Sequence, residues 1–177
     1  MVDVILVDEN DNEIGKEEKL KAHLDAKTHR AFSIFIFNSK GDLMLQKRAK
    51  SKYHSGSLWS NTCCSHPKPD KDIKEEVRER LKEEMGIDCE LKEILSTLYN
   101  VKVHSKIGDL MEHEFDHIFI GFSEKEPKLN PEEAEDWKWI EINELKQDMK
   151  NNPEKYTPWF HLILDKTLKA KKELYEE

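Results

Sequence analysis

Two short stretches hold the side chains best suited to chemistry. In Asn61-Thr62-Cys63-Cys64-Ser65-His66-Pro67 a thiol lies two residues from an imidazole, and in Glu112-His113-Glu114 two carboxylates lie two residues apart. The second stretch opens an apolar, strand-like run from Phe115 to Phe122. Side chains alternate along a strand, so Glu112 and Glu114 share a face. Ionised carboxylates are rarely buried unless paired or bound to a metal. A thiol, an imidazole and a carboxylate pair together describe a metal-dependent site that moves protons. Cys64 itself reads two ways. It is a small buried hydrophobe, as Cys63 or Cys89 also reads, or a reactive thiol beside a metal-bound histidine, where positive charge favours thiolate.

His23, His29 and His66 are scattered, and a scattered histidine is ordinarily a surface or core residue. With Glu112 and Glu114 they form a mixed nitrogen and oxygen set suited to Zn, Mn, Fe or Mg. Their spacing matches none of the common local zinc signatures. Arg80 and Glu84 are i, i+4 neighbours on a Glu-rich segment and share a face. One suits a phosphate oxygen, the other a divalent ion bound to that phosphate. A Glu-rich helix is also commonly just a solvated face. Lys47-Arg48-Ala49-Lys50-Ser51-Lys52 is a basic cluster that clamps an anion only if it faces Arg80; otherwise it is a surface turn.

The elements that must position these groups follow from periodicity. Met1 to Gly15 reads as a strand pair, and Glu17 to Lys27 as irregular or briefly helical. Ala31 to Phe37 reads as a strongly apolar strand, with 38–42 as a hairpin loop and Leu43 to Lys47 as its returning partner. Tyr53 to Pro69 reads as a long loop, a length that is often functional. Asp72 to Met85 predicts a helix: Ile73, Val77 and Leu81 recur at helical spacing, Asp72 caps the start and Gly86 ends it. Strands are expected near 91–104, 112–122 and 137–140, and helices near 142–150 and 159–175, with 166–177 a solvated helix end. A mixed sheet with helices on its faces suits this order, and the long loop would bring Cys64 and His66 near its centre.

The composition bounds the rest. The 177 residues fit one domain, 1–177, and 37% hydrophobic residues provide for a core. Lys+Arg 29 against Asp+Glu 37 gives a net charge of −8, which argues against nucleic acid or anionic membrane as a partner and leaves room for a small anionic substrate. No stretch approaches a transmembrane helix, and the start lacks the pattern of a signal peptide. Three cysteines without framework spacing fit a reduced, cytoplasmic chain. A monomer is expected, with a dimer left open.

Residues 78–87, Arg78-Glu79-Arg80-Leu81-Lys82-Glu83-Glu84-Met85-Gly86-Ile87, look like the tail of a Nudix box. Glu79 stands at the box's Arg and Arg80 at its first Glu, while Ser65 and Lys71 replace its opening Gly and following Glu. From about residue 1 to 165 the chain resembles type I isopentenyl diphosphate isomerase, a Nudix-related family. The resemblance rests on Lys19-x-x-x-His23, His29-x-Ala31-Phe32, Arg48-Ala49-x-Ser51-Lys52, Leu58-Trp59-x-Asn61-x-x-Cys64-x-His66-Pro67, Glu84-x-Gly86, Glu112-His113-Glu114 and Thr157-Pro158-Trp159. It implies an α+β fold, a Nudix-like mixed β-sheet sandwiched between helices. It implies conversion of isopentenyl to dimethylallyl diphosphate through a tertiary carbocation. In that reading Cys64 and Glu114 are catalytic, Trp159 is placed to stabilise the cation, and Tyr99 is the nearest counterpart of the family's active-site tyrosine. His23, His29, His66, Glu112 and Glu114 match a shell for one divalent ion (Mn2+, Zn2+ or Mg2+). Glu84 matches a ligand of Mg2+ carried with the substrate diphosphate, and Lys19, Arg48, Lys52 and Arg80 match diphosphate-binding positions. The His23–His29 spacing is one residue shorter than in the best-known bacterial members.

Two other readings make different demands. A Nudix hydrolase cleaving a diphosphate needs more carboxylates on the Asp72–Met85 segment, and Arg80 and Lys71 stand where its box wants Glu. A non-catalytic metal- or diphosphate-binding protein keeps the His/Glu set and has no use for Cys64 or Trp159.

Overall fold

The computed structural model describes residues 2–175. Met1, at the start of the expected strand pair, and Glu176 and Glu177, at the end of the expected charged segment, lie outside them. The chain runs β1 (Asp3–Val7), β2 (Glu13–Glu18), α1 (Lys19–Leu24), β3 (His29–Phe37), β4 (Leu43–Arg48), β5 (Trp59–Ser60), β6 (Cys63–Ser65) and α2 (Ile73–Met85). It continues through β7 (Leu91–Ser105), β8 (Gly108–Phe122), β9 (Ala134–Ile140), α3 (Ile142–Asn151), a single 3-10 turn (Pro153–Lys155) and α4 (Pro158–Tyr175).

The centre of the sheet is β3 lying parallel to β8, with β7 antiparallel on the far side of β8. Strand β3 is buried at almost every position because both its faces are covered. Phe32, Ile34 and Ile36 pack with Val77, Leu81 and Met85 of α2. Phe35 and Phe37, alternating with them, pack with Ile118 and Ile120 of β8, Leu145 of α3, and Phe160, Ile163 and Leu164 of α4. The sheet is therefore sandwiched between helices, in an α+β arrangement.

Helix α2 starts and stops where the sequence indicates. The Asp72 carboxylate accepts from the Lys74 N–H at 2.7 Å. Gly86 adopts the left-handed φ of 66° that lets the chain turn off the helix. A Cβ there would come within 2.8 Å of the Lys128 carbonyl oxygen, so space and conformation both demand glycine.

Two expectations are corrected. Strands β3 and β4 are not a full hairpin; they pair only at Phe37–Leu43 and then diverge. Strand β4 goes on to pair with β9 and β5, while β6 joins β3. Thr62 wedges the split open: its hydroxyl donates to the Met44 carbonyl at 2.6 Å and accepts from the Ile36 N–H at 2.9 Å. The second correction follows from the first. The segment 53–69 is not structureless, because β5 and β6 fill the gap between the two branches.

Candidate active site and metal centre

The register of the sheet assembles the site. Glu114 lies beside His29 of β3 on one side and Tyr99 of β7 on the other. Glu112, Glu114 and Asp116 alternate onto one face of β8, followed on that face by the buried Ile118 and Ile120. Strand β6 sets Cys64 opposite Ser33, also on this face. Helix α1 supplies His23, and the segment after β6 supplies His66.

One ligand atom each from His23, His29, His66, Glu112 and Glu114 lies within 4.8 Å of the others. The tautomers are set from behind. His23 Nδ1–H donates to the Lys19 carbonyl at 2.6 Å and His29 Nδ1–H to the Lys27 carbonyl at 2.8 Å. Each Nε2 is thereby turned inward, toward the carboxylates. His23 Nε2 is 2.9 Å from Glu112 Oε2, His66 Nε2 is 2.8 Å from Glu114 Oε1, and His29 Nε2 is 3.5 Å from that same oxygen. His29 Nε2 is buried and has no hydrogen-bond partner among the described residues. Three imidazoles and two carboxylates converging in this way form a group that could hold a metal ion. The donor set fits such an ion.

Burial works against charge on Glu114, yet contacts with His29 and the hydrogen bond from Tyr99 hold its carboxyl at about 2. Burial pushes the Tyr99 hydroxyl well above its ordinary range, so it stays protonated and donates to Glu114. Burial, reinforced by the nearby Asp116 carboxyl, pushes the Cys64 thiol up to about 12. Cys64 is a thiol here, its Sγ donating to Asn61 Oδ1 at 3.0 Å. Asn61 is locked in turn, its amide donating to the carbonyls of Ile34 (3.2 Å) and Cys63 (3.0 Å). Cys63 faces the other way into the α2 core, and Cys89 is partly buried.

Cationic side chains line the other part of the same pocket. Lys19, Arg48, Lys52 and Arg80 share it with Cys64, Glu84, Glu114 and Trp159. Arg80 is paired with Glu84 and with Glu83, and Lys52 with Glu133. Gln46 donates to the second Glu84 oxygen at 2.9 Å. Of the basic run that ends β4 and follows it, Arg48 and Lys52 thus share the pocket with Arg80, whereas Lys47 pairs outside with Glu135 at 3.0 Å. Trp159 is 4% exposed at the start of α4 and belongs both to the core and to the pocket wall. The Arg48 guanidinium sits 5.2 Å from its ring centroid, joining the cationic and aromatic parts of the pocket.

Four residues here carry no sequence assignment. Asp116 is fully buried, receives the Ser33 hydroxyl at 2.8 Å, and leaves Oδ1 without a partner among the described residues. Burial and the neighbouring Glu114 raise its pKa well above the carboxylate range. The signal was present, since Asp116 extends the Glu112, Glu114 alternation by one step. Glu133 has no such signal, coming from the turn before β9. His54, 3.2 Å from Glu112 Oε1, and Tyr53 beside it come from the loop before β5. Burial drops His54 to about 3, leaving it neutral.

A split mixed sheet between helices, with a carboxylate-bearing helix against the pocket, defines a Nudix fold, and the NUDIX domain family matches residues 27–160. A solved structure of a Deinococcus radiodurans protein shares the fold at TM-score 0.70 and 17% identity, over 85% of this chain and 90% of that one. "Isopentenyl-diphosphate Delta-isomerase 2" of Aromatoleum aromaticum is 51% identical over 168 residues, 95% of this chain and 87% of the relative. "Isopentenyl-diphosphate Delta-isomerase" of Serratia proteamaculans is 48% identical over 161 residues, 91% of this chain and 88% of the relative. The chain belongs to the isopentenyl-diphosphate Delta-isomerase family of Nudix-fold proteins.

Proposed function

We propose that this chain converts isopentenyl diphosphate into dimethylallyl diphosphate by placing a proton on one carbon and removing one from another. The observation that carries this reading is the make-up of the pocket. Two proton-transfer groups, Cys64 and Glu114, share it with an aromatic wall and with four cationic side chains.

The chemistry demands such a division. Protonation of the terminal CH2 carbon leaves a tertiary cation on the branched carbon. Loss of a proton from the neighbouring carbon on the diphosphate side restores the double bond one position along. One proton enters and one leaves, so an acid and a base are needed at the hydrocarbon, and water must be kept from the cation. Cys64 and Glu114 take these two roles. Tyr99 donates its hydroxyl to Glu114 and holds that carboxyl in place. Trp159 presents a π-face to the cation, an interaction worth about 2 kcal/mol or more in a desolvated site.

Lys19, Arg48, Lys52 and Arg80 serve the diphosphate, which anchors the substrate and does not react. His23, His29, His66, Glu112 and Glu114 would hold a divalent ion, and Glu84 with the phosphate oxygens would hold Mg2+. Bound there, these ions would fix the Glu114 carboxylate, tune its proton affinity and offset diphosphate charge. The reading includes a single domain acting as a cytoplasmic monomer on this small substrate. A net charge of −8 fits neither nucleic acid nor an anionic membrane, and no helix among the described residues is long and apolar enough to cross a bilayer.

Incubation with isopentenyl diphosphate and Mg2+, followed by product analysis, tests the reading. Dimethylallyl diphosphate without phosphate release is expected. Release of phosphate or pyrophosphate with no dimethylallyl diphosphate would replace it with a hydrolase reading.

A further inference from the structure

The loop between β4 and β5 is built to an unusual specification. Ser55 and Ser57 both adopt left-handed backbone, with φ of 52° and 62°, which residues bearing a Cβ rarely do. Between them, Gly56 passes so close to the chain that a Cβ would lie 3.0 Å from the Lys50 carbonyl oxygen. The loop is also gripped from outside. The Tyr53 carbonyl accepts from the Lys106 N–H at 3.1 Å, and His54 bridges to Ser105 at the tip of the β7–β8 hairpin. On the pocket side, the His54 carbonyl accepts from Arg48 Nη2 at 3.4 Å. A backbone in unfavourable conformations, held by contacts on two sides, fixes where its side chains point.

Those side chains are Tyr53 and His54, and both line the pocket. The Tyr53 ring stands edge-on to His54 with centroids 4.5 Å apart, and Lys19 Nζ lies 5.9 Å from its centre. The phenolic hydroxyl is enclosed and has no hydrogen-bond partner among the described residues. Buried hydroxyls are ordinarily satisfied, and one left open calls for an acceptor from a ligand or from water. The same holds for Arg48 Nε and Arg80 Nε, which line the same pocket. Three unmet donors in one pocket, with Lys19 and Lys52 beside them, ask for a ligand rich in anionic oxygens and poor in hydrogens.

We infer that Tyr53 is a further substrate-binding residue, its hydroxyl donating to an oxygen of the diphosphate beside Arg48. This deepens the isomerase reading and rests on it for the identity of the substrate, though the anion chemistry stands apart from the proton transfers. A neutral donor suits this place. A fifth cation would add repulsion among Lys19, Arg48, Lys52 and Arg80, whereas a hydroxyl adds a directed bond without charge.

The test is Tyr53→Phe, which keeps the ring and its packing and removes only the donor. Binding of inorganic pyrophosphate with Mg2+ is measured by calorimetry on the full-length wild type and variant, alongside steady-state isomerase kinetics. A hydrogen bond to a charged acceptor predicts weakening of pyrophosphate binding by about tenfold to a hundredfold. KM for isopentenyl diphosphate should rise with it, and kcat should stay within about twofold. Unchanged pyrophosphate affinity, or a loss of kcat with KM unmoved, overturns the assignment. Should the wild type form no dimethylallyl diphosphate, the isomerase reading fails and the pyrophosphate titration still decides the role of Tyr53.

Discussion

Replacing Glu112 with Gln asks whether the buried His/Glu cluster holds an ion. The substitution preserves shape but removes the charge from an oxygen 2.9 Å from His23 Nε2. In the wild-type protein, an ion at 100 times its dissociation constant adds about 2.7 kcal/mol to stability, provided only the folded chain binds it. For a chain of this size that is a rise in Tm of about 5–11 °C. Loss of a direct carboxylate ligand should weaken binding at least as much as loss of an outer hydrogen-bonding partner, roughly a hundredfold. At the same ion concentration the increment then falls to about 0.4 kcal/mol, or about 1 °C in Tm. The assay is thermal unfolding of chelator-treated protein with and without Mg2+, Mn2+ or Zn2+, each variant measured against its own metal-free baseline. That baseline removes whatever the substitution does to the empty fold. Glu173→Gln, on the exposed end of α4, serves as the control and should keep the full increment. An undiminished increment in Glu112→Gln, or none in the wild type with any of the three ions, would refute the argument.

Other outcomes follow from the same geometry. Cys64→Ser should abolish nearly all isomerase activity with the fold retained, whereas Cys63→Ala should leave the chemistry intact; equal losses in product assays would count against Cys64. Arg80→Ala should chiefly raise KM and Glu114→Gln chiefly lower kcat, because only the second contact strengthens in the transition state; steady-state kinetics showing the reverse pattern would undo this division of labour. The thiol also sets an alkaline limit on stability. Cys64 is pushed up to about 12 in the folded chain, against about 8.5 when unfolded, so rising pH deprotonates the unfolded chain first. Stability should therefore fall between these values by up to ~1.4 kcal/mol per pH unit for this thiol, and be unaffected below them. Urea unfolding at pH 8 and pH 10 should give a smaller pH-dependent loss for Cys64→Ser than for the wild type, and an identical loss would contradict the thiol's assignment.

Helix α2 was legible because its evidence is local: apolar residues at helical spacing, a carboxylate at the cap and a glycine at the stop. The shared face of Glu112 and Glu114 was legible for the same reason, through strand alternation. The division of the β3–β4 hairpin was not, because it depends on Thr62 inserting its hydroxyl between strands that precede it by about twenty residues. Nor was the state of Cys64. Proximity to His66 in sequence left a small buried side chain and a reactive thiol both open, because the burial and the Asp116 carboxyl that raise its pKa are brought there only by the fold. His54 and Tyr53 escaped because nothing in their spacing marks them; their position is set by a strained loop whose geometry only the folded chain shows.

Arg80 shows how one scaffold can separate binding from chemistry. A Nudix hydrolase needs more carboxylates on this helix to hold its catalytic metal ions. Here the guanidinium of Arg80 pairs with Glu84 and Glu83 and lies 3.7 Å from Glu133, so α2 presents a cation set among carboxylates to the pocket. In the proposed reading this cluster, with Mg2+ at Glu84, would hold the diphosphate and leave the proton transfers to other groups. The groups able to exchange protons lie elsewhere, on β6 and β8, across the sheet face covered by α4. In the proposed isomerase reading this separation serves chemistry as well as packing: Arg80 and Glu84 on α2 would hold the anion at one end of the pocket, and the hydrocarbon would extend to Cys64 and Glu114 at the other.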